Sequence, residues 1–355
     1  MRELTRIKPE RLAELIDRFP RLRIAVLGDF FLDKYLDVDP ALAETSLETG
    51  RTAHQVAAVR HSPGAAGTVV CNLAALGAGA IHAVGFTGDD GESYDLRKDL
   101  AALGCSTAHL DCDPGRMTPT YLKPRDRNDP SLAGEHNRYD TKNRTPTSAA
   151  AQQRIVRALD ALLPEVDAVI AMDQVDEENC GVVTTTVVEA LADRALRWPK
   201  AIFWADSRRR IRRFRNVIIK PNQFEAAGID SPMPDQRVAV DRLCEAVGEL
   251  RRMTKAPICV TRGAAGMLAS DPEPTLIPGV RLEGPTDPTG AGDSVTAGAV
   301  LALSAGASLA EAALMGNLVA SITVEQLATT GVARAAQLPP RLQMWLAQVA
   351  TPQAT

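Results

Sequence analysis

The sequence predicts an α/β fold whose mostly parallel sheet is covered by helices on both faces, and three observations predict it. Short continuous apolar runs, such as Arg23-Ile24-Ala25-Val26-Leu27-Gly28-Asp29 and Asp167-Ala168-Val169-Ile170-Ala171-Met172-Asp173, are closed by glycine or aspartate, as strands buried on both faces are. These runs alternate with segments of helical periodicity, the pattern of parallel strands joined by crossover helices. A polar, β-prone stretch over 36–61 interrupts the alternation and reads as a small lid of strands.

Composition narrows the function. The chain has 355 residues, 45% hydrophobic and 24% charged, which suits one large domain with a small appendage. A net charge of −4 argues against nucleic acid as a partner, because phosphate-driven binding leaves a basic surplus. No apolar run approaches the roughly 18 residues of a membrane span and no apolar leader core opens the chain, so a cytoplasmic protein with no membrane partner is expected. The six cysteines form no C-x-x-C pair and the five histidines show no ligand spacing, so neither a disulfide frame nor a zinc site is expected.

Taken in order, Arg2 to Phe19 carry Leu4, Ile7, Leu12, Leu15, Ile16 and Phe19 at near-helical spacing, which predicts an N-terminal helix within 1–21. The first strand ends at Gly28, and Asp29 and Asp33 follow at its carboxyl end, where ligands of parallel sheets bind. Two close carboxylates suit the hydroxyls of a sugar, although a turn aspartate and a solvated one would read the same. Ser62 to Ala78 is a turn at Gly64 followed by a helix of small residues including Thr68, and Ile81 to Leu103 is a second strand-turn-helix unit. That unit lacks G-x-G-x-x-G, so a dinucleotide site is not indicated. Residues 115–142 supply the lid's return strands, where Lys123, Arg125 and Arg138 either face an anionic substrate or are solvated strand ends. Helix 148–163, strand 167–173, helix 182–197 and strand 201–206 follow. The six arginines of Ser207 to Arg215 read as a solvated segment. A strand then runs into Pro221, after which Asn222 and Glu225, three apart, point the same way on a helical turn. Helix 236–254 leads to strand 257–261 and the turn Arg262-Gly263-Ala264-Ala265-Gly266-Met267; a C-terminal helix and tail occupy 336–355, unstructured from Thr351.

The run Asp287-Pro288-Thr289-Gly290-Ala291-Gly292-Asp293-Ser294 is the chemical centre. Its glycines allow consecutive N–H groups to form an anion nest at the positive end of the following helix. A carboxylate there repels a phosphate, so Asp293 makes sense as the group that accepts a proton from a hydroxyl about to attack phosphorus. No Walker lysine is present, and an isolated G-A-G-D serves equally as a plain helix cap.

The longer run D-P-T-G-A-G-D-S resembles the second signature of the pfkB (ribokinase-like) carbohydrate kinases, and Pro63-Gly64-Ala65-Ala66-Gly67-Thr68 onward resembles the first. K-P-N-Q-F-E at 220–225 and V-T-R-G-A-A-G at 260–266 fall in that family's order. The resemblance implies a three-layer ribokinase-like domain over 22–335 with a small β lid near 36–61 and 115–142. It implies ATP-dependent phosphorylation of a sugar hydroxyl, with Asp293 as base and the Gly290, Ala291 and Gly292 amides as anion hole. Asn222 and Glu225 would organise Mg²⁺ through water, and Thr261, Gly263, Gly266 and Asn317 would meet the nucleotide. Asp29, Asp33, Gly64 and Thr68 would meet the sugar, and Asp287 and Thr289 would hold the K⁺ that some members bind. Ala65 and Thr68 depart from the signature's glycine and asparagine. The heptose-phosphate kinase branch shares G-D-x-x-x-D, but its S-D-Y-x-K-G reads here as Met172-Asp173-Gln174-Val175-Asp176-Glu177, without the lysine. The acceptor is therefore expected to be a sugar, free or phosphorylated, with a nucleoside or other small alcohol, or a sugar-binding relative with little turnover, as rivals. Exposed lid strands would allow a homodimer.

Overall fold

The computed structural model describes residues 2–351 apart from 5, 130, 234, 235 and 328. The tail expected beyond position 351 lies outside the described residues. Six strands form an all-parallel central sheet in the order Ile218–Ile219, Ile202–Ser207, Ala168–Asp173, Arg23–Gly28, Ala80–Thr87, Cys105–Cys112. Successive residues of a strand face opposite sides, and the core divides accordingly. Ile24, Val26 and Ile170 join one cluster with the helices Ala66–Leu76, Ala291–Ser304 and Leu309–Thr323, whereas Ala25, Leu27 and Val169 join another with Ala149–Leu162, Thr185–Arg197 and Val240–Thr254. Side-chain caps fix several of these helices where the sequence offers Ser or Thr: Ser148 accepts from the Ala151 N–H, Thr184 from Val187, and Ser308 closes a capping box with Glu311.

Beyond the Ile218–Ile219 edge, Ile219 bridges to Ile258, and a second sheet follows in the order Cys259–Thr261, Met267–Ala269, Thr275–Ile277, Arg2–Glu3. The N-terminal helix is thereby shorter than its periodicity suggests. It spans Pro9–Ile16, because Arg2 and Glu3 pair with Thr275 and Leu276 instead. Its Leu12 and Leu15 share one buried cluster with Leu338, Leu342 and Trp345 of the helix Leu338–Ala350 at the other end of the chain.

The lid is a four-stranded sheet in which Phe30–Thr45 pairs antiparallel with Thr52–Ala65 and parallel with Thr120–Asp126, which pairs with Tyr139–Thr141. It begins earlier than expected: Phe30 and Leu32 are already strand residues, yet belong to the main core. The lid's first strand therefore grows directly out of a central one, which sets Asp33 where lid and body meet. Thr52–Ala65 is a free edge, with Val56 and Val59 44% and 52% exposed. Among the described residues no helix is long and apolar enough to cross a membrane.

Candidate active site

Gly290 adopts a left-handed conformation (φ 74°, ψ 2°) and opens the helix Ala291–Ser304. A Cβ there would lie 3.0 Å from Thr330 Cγ2 and 3.3 Å from Thr68 Cγ2, so glycine is needed for backbone and space alike. Ser294 ties the turn down by donating from both N–H and Oγ to the Gly290 carbonyl at 2.9 Å. The Ala291 N–H, expected in the anion hole, donates to the Pro288 carbonyl at 3.1 Å. That leaves the Gly290, Gly292 and Asp293 N–H groups, at the positive helix end, without a protein acceptor among the described residues.

This turn is the wall between two cavities. The larger, about 510 Å³, is bordered by Ala291 and Gly292; the smaller, about 260 Å³, by Thr289, Gly290 and Asp293. Burial and the charge of Asp206 push the Asp293 carboxyl up to about 7, against the pull of Lys220. Lys220 and Asp206 form a buried ion pair at 2.7 Å, and a Cβ on Gly292 would lie 3.4 Å from Lys220 Nζ.

Asp33 and Thr68 line the smaller cavity with Asp293. Asp33 Oδ1 lies 3.0 Å from Lys123 Nζ, which is also 3.4 Å from Tyr35 Oη, and Thr330 Oγ1 donates to Oδ2 at 3.5 Å. Gly64 leaves room for that carboxylate, since its Cβ would lie 2.8 Å from Asp33 Oδ2. It does not itself line the cavity.

Asp29 does not reach the cavity either, which corrects its expected sugar contact. It is 3% exposed and accepts from three backbone N–H groups, those of Gln174 (2.8 Å), Val175 (3.2 Å) and Val182 (2.7 Å). Burial, reinforced by Asp173, pushes its carboxyl up to about 6. Arg210, expected in a solvated run, grips the same loop from the other side. It forks Asp173 at 2.7 and 3.2 Å and donates to the carbonyls of Val175 and Asp176. The loop so held carries Gln174 into the cavity.

Thr261, Gly263, Gly266 and Asn317 all line the larger cavity. Gly266 has φ 91°, and a Cβ there would lie 2.1 Å from the Ile277 carbonyl, while Asn317 Nδ2 donates to Pro278 O at 3.2 Å. Asn222 and Glu225 do not line it; they close a capping box, Asn222 Oδ1 accepting from the Phe224 and Glu225 N–H groups and Glu225 Oε2 from the Asn222 N–H at 2.7 Å. Asn222 nevertheless bridges to Thr261 in parallel register, which joins the two motifs. Burial holds the Glu225 carboxyl above its ordinary range and the charge of Asp206 adds to this. Such acids fit a cation held through water, and no cluster of three or more metal-ligating side chains is found among the described residues. Asp287, 4% exposed, accepts from the Thr289 N–H at 3.0 Å, and its own N–H ties the turn to Val324 O at 2.8 Å.

A six-stranded parallel sheet, a β lid and a glycine turn dividing two cavities make up a ribokinase-like fold. The structure is similar to phosphofructokinase-2 from Escherichia coli in complex with potassium (TM-score 0.67, 17% identity, 92% of this chain and 99% of that one), and to Arabidopsis thaliana ribokinase complexed with ribose and ATP (TM-score 0.61, 16% identity, 91% and 98%). At these identities the likeness is one of fold. The pfkB family carbohydrate kinase pattern matches residues 30–335, and the chain belongs to that family. Curated relatives include bifunctional protein HldE of Caulobacter vibrioides, 32% identical over 333 residues (92% of this chain, 65% of the relative), and that of Desulfatibacillum aliphaticivorans, 30% identical over 334 residues (92% and 64%). The chain thus spans a little under two thirds of the length of these relatives.

Proposed function

We propose that the smaller cavity takes the sugar, the larger takes ATP, and the 289–293 turn joins them. One observation carries this reading: a single turn presents the Asp293 carboxylate to one cavity and glycine backbone to the other. The acceptor hydroxyl gives its proton to Asp293 as its oxygen bonds to the γ-phosphorus. The β–γ bridging P–O bond breaks and ADP leaves. The Gly290, Gly292 and Asp293 amides, with Lys220 beside Gly292, stabilise charge on the transferred group. Asp33 accepts from sugar hydroxyls and Thr68 lies beside it. Mg²⁺, when bound, neutralises the phosphate oxygens, and Glu225 with Asn222 would hold its waters. The 287–289 turn would hold K⁺, which is compatible with the potassium complex of the structural neighbour.

Six free thiols and an ATP-dependent reaction support a cytoplasmic location, and the free lid edge supports a homodimer. The fold admits both kinds of acceptor, since neighbours were solved with ribose and ATP and with fructose-6-phosphate. The test is ADP release in K⁺ and Mg²⁺ buffer against a panel of sugars, sugar phosphates and nucleosides. Release that depends on a sugar or its phosphate is expected; turnover of nucleosides alone would assign the smaller cavity to another acceptor, and binding without turnover would make the protein a sugar-binding relative.

A further inference from the structure

The helix Leu338–Ala350 buries one stripe, in which Leu338, Leu342 and Trp345 follow at helical spacing. Gln348, one turn beyond Trp345, continues that stripe with an amide. Both Trp345 and Gln348 turn their polar groups on the segment 278–286, which carries neither helix nor strand. Trp345 Nε1 donates to the Pro278 carbonyl at 2.8 Å. Gln348 takes both main-chain groups of Arg281: Oε1 accepts from its N–H at 2.9 Å and Nε2 donates to its carbonyl at 2.8 Å. Arg281 Nη2 donates back to the Gln348 carbonyl at 2.9 Å. A planar amide offers an acceptor and a donor side by side, so it pairs with a residue's backbone as a neighbouring strand would. Asn317 Nδ2 also reaches Pro278 O, at 3.2 Å. Among the described residues, the hydrogen bonds to the main chain of 278–286 come from these three side chains.

This segment walls the larger cavity through Gly279, Val280, Arg281 and Leu282. Val280 and Leu282 pin it to the main core, but Arg281, Glu283 and Gly284 are exposed, so packing alone does not set its path. We propose that Trp345 and Gln348 are positioning residues of the nucleotide site: the helix Leu338–Ala350 holds the 278–284 wall in place, and the affinity for ATP depends on that brace while the affinity for the acceptor does not. A wall already ordered gives up less freedom when ATP binds against it, so the brace lowers the cost of binding without adding a contact. Neither Trp345 nor Gln348 lines the cavity itself. The smaller cavity shares no residue of this wall, which is why the acceptor is spared. The proposal rests on the reading of the larger cavity as the ATP site.

The experiment measures the Kd of ATP with Mg²⁺ by calorimetry for the wild type, Gln348→Met and Trp345→Phe. Gln348→Met keeps the length of the side chain and removes both amide bonds, and should weaken ATP binding by roughly tenfold. Trp345→Phe keeps a buried ring and loses the N–H, and should cost roughly threefold, since Asn317 still serves Pro278. In steady state, with whichever sugar or sugar phosphate sustains ADP release, KM for ATP should rise likewise while kcat and the acceptor KM stay within about twofold. Hydrogen exchange reads the brace itself: the Arg281 N–H should exchange faster in Gln348→Met, and ATP should slow exchange across 279–284 in the wild type. Unchanged ATP affinity in both variants overturns the brace. So does an equal rise in the acceptor KM, which marks a general loosening of the fold. Ala320→Phe tests the underlying reading separately, because it fills the same cavity from the helix Leu309–Thr323 without touching the brace. If Ala320→Phe leaves the ATP affinity unchanged, it is the nucleotide that has been placed in the wrong cavity.

Discussion

Asp29 and Asp33 lie four residues apart after one strand, yet only Asp33 faces a cavity. Their spacing in sequence could not separate them, because the N–H groups that saturate Asp29 come from residues 174–182, and nothing local announces them. Asp29→Asn turns an amide toward those donors and should destabilise the fold by about 1–3 kcal/mol, read as a lower urea midpoint at unchanged slope. An unchanged midpoint would deny Asp29 its structural role. Asp33→Ala should raise KM for the sugar far more than for ATP, and the reverse outcome would put the sugar in the wrong cavity. Asp293 carries a pH signature. With its carboxyl at about 7, kcat/KM should rise with pH as the base ionises, with an apparent pKa near 7, whereas a flat profile from pH 5.5 to 8.5 would count against it. The same shift bears on stability. The folded value lies above the unfolded one of about 3.9, so the group's contribution is full below about pH 4 and lost as pH rises through about 7. Asp293→Asn should therefore improve stability relative to the wild type more at pH 8 than at pH 5, measured by urea midpoints at both.

At the scale of elements, the glycine turn was legible because its demands are local: a left-handed residue, small neighbours and a helix start. Thr261, Gly263, Gly266 and Asn317 gathered on the larger cavity for the same reason, as a loop and a helix with recognisable punctuation. Other features were not legible. Phe30 and Leu32 serve lid and core at once, so a polar boundary at 36 missed the lid's true start. Arg210 hides among solvated arginines until Asp173 and the loop carbonyls come into reach. Lys220 was read as part of a motif, but its pairing with Asp206 beneath Gly292 required the parallel register of their strands. The turn also carries the cation prediction. K⁺ should stimulate turnover by ordering the 287–292 loop, and equal rates in K⁺ and in a bulky organic cation at matched ionic strength would contradict this.

For the whole molecule, alternating apolar runs and helical periods were enough to predict the parallel sheet and its two covered faces, since each crossover leaves its own local pattern. The partition of the site into two cavities was not predictable in that way. It depends on Thr330 and Thr68 packing around Gly290, contacts between segments more than 200 residues apart in sequence and some 40 residues apart at the nearer end. That partition matters most, because it sets Asp293 on one side of a turn and Ala291 and Gly292 on the other. The most direct measurement is single-turnover phosphoryl transfer by Asp293→Asn beside its equilibrium affinity for ATP. The rate should fall by roughly 10²–10⁴-fold with ATP affinity within a few-fold of the wild type; a rate within a few-fold of the wild type, or a loss confined to ATP binding, would contradict it.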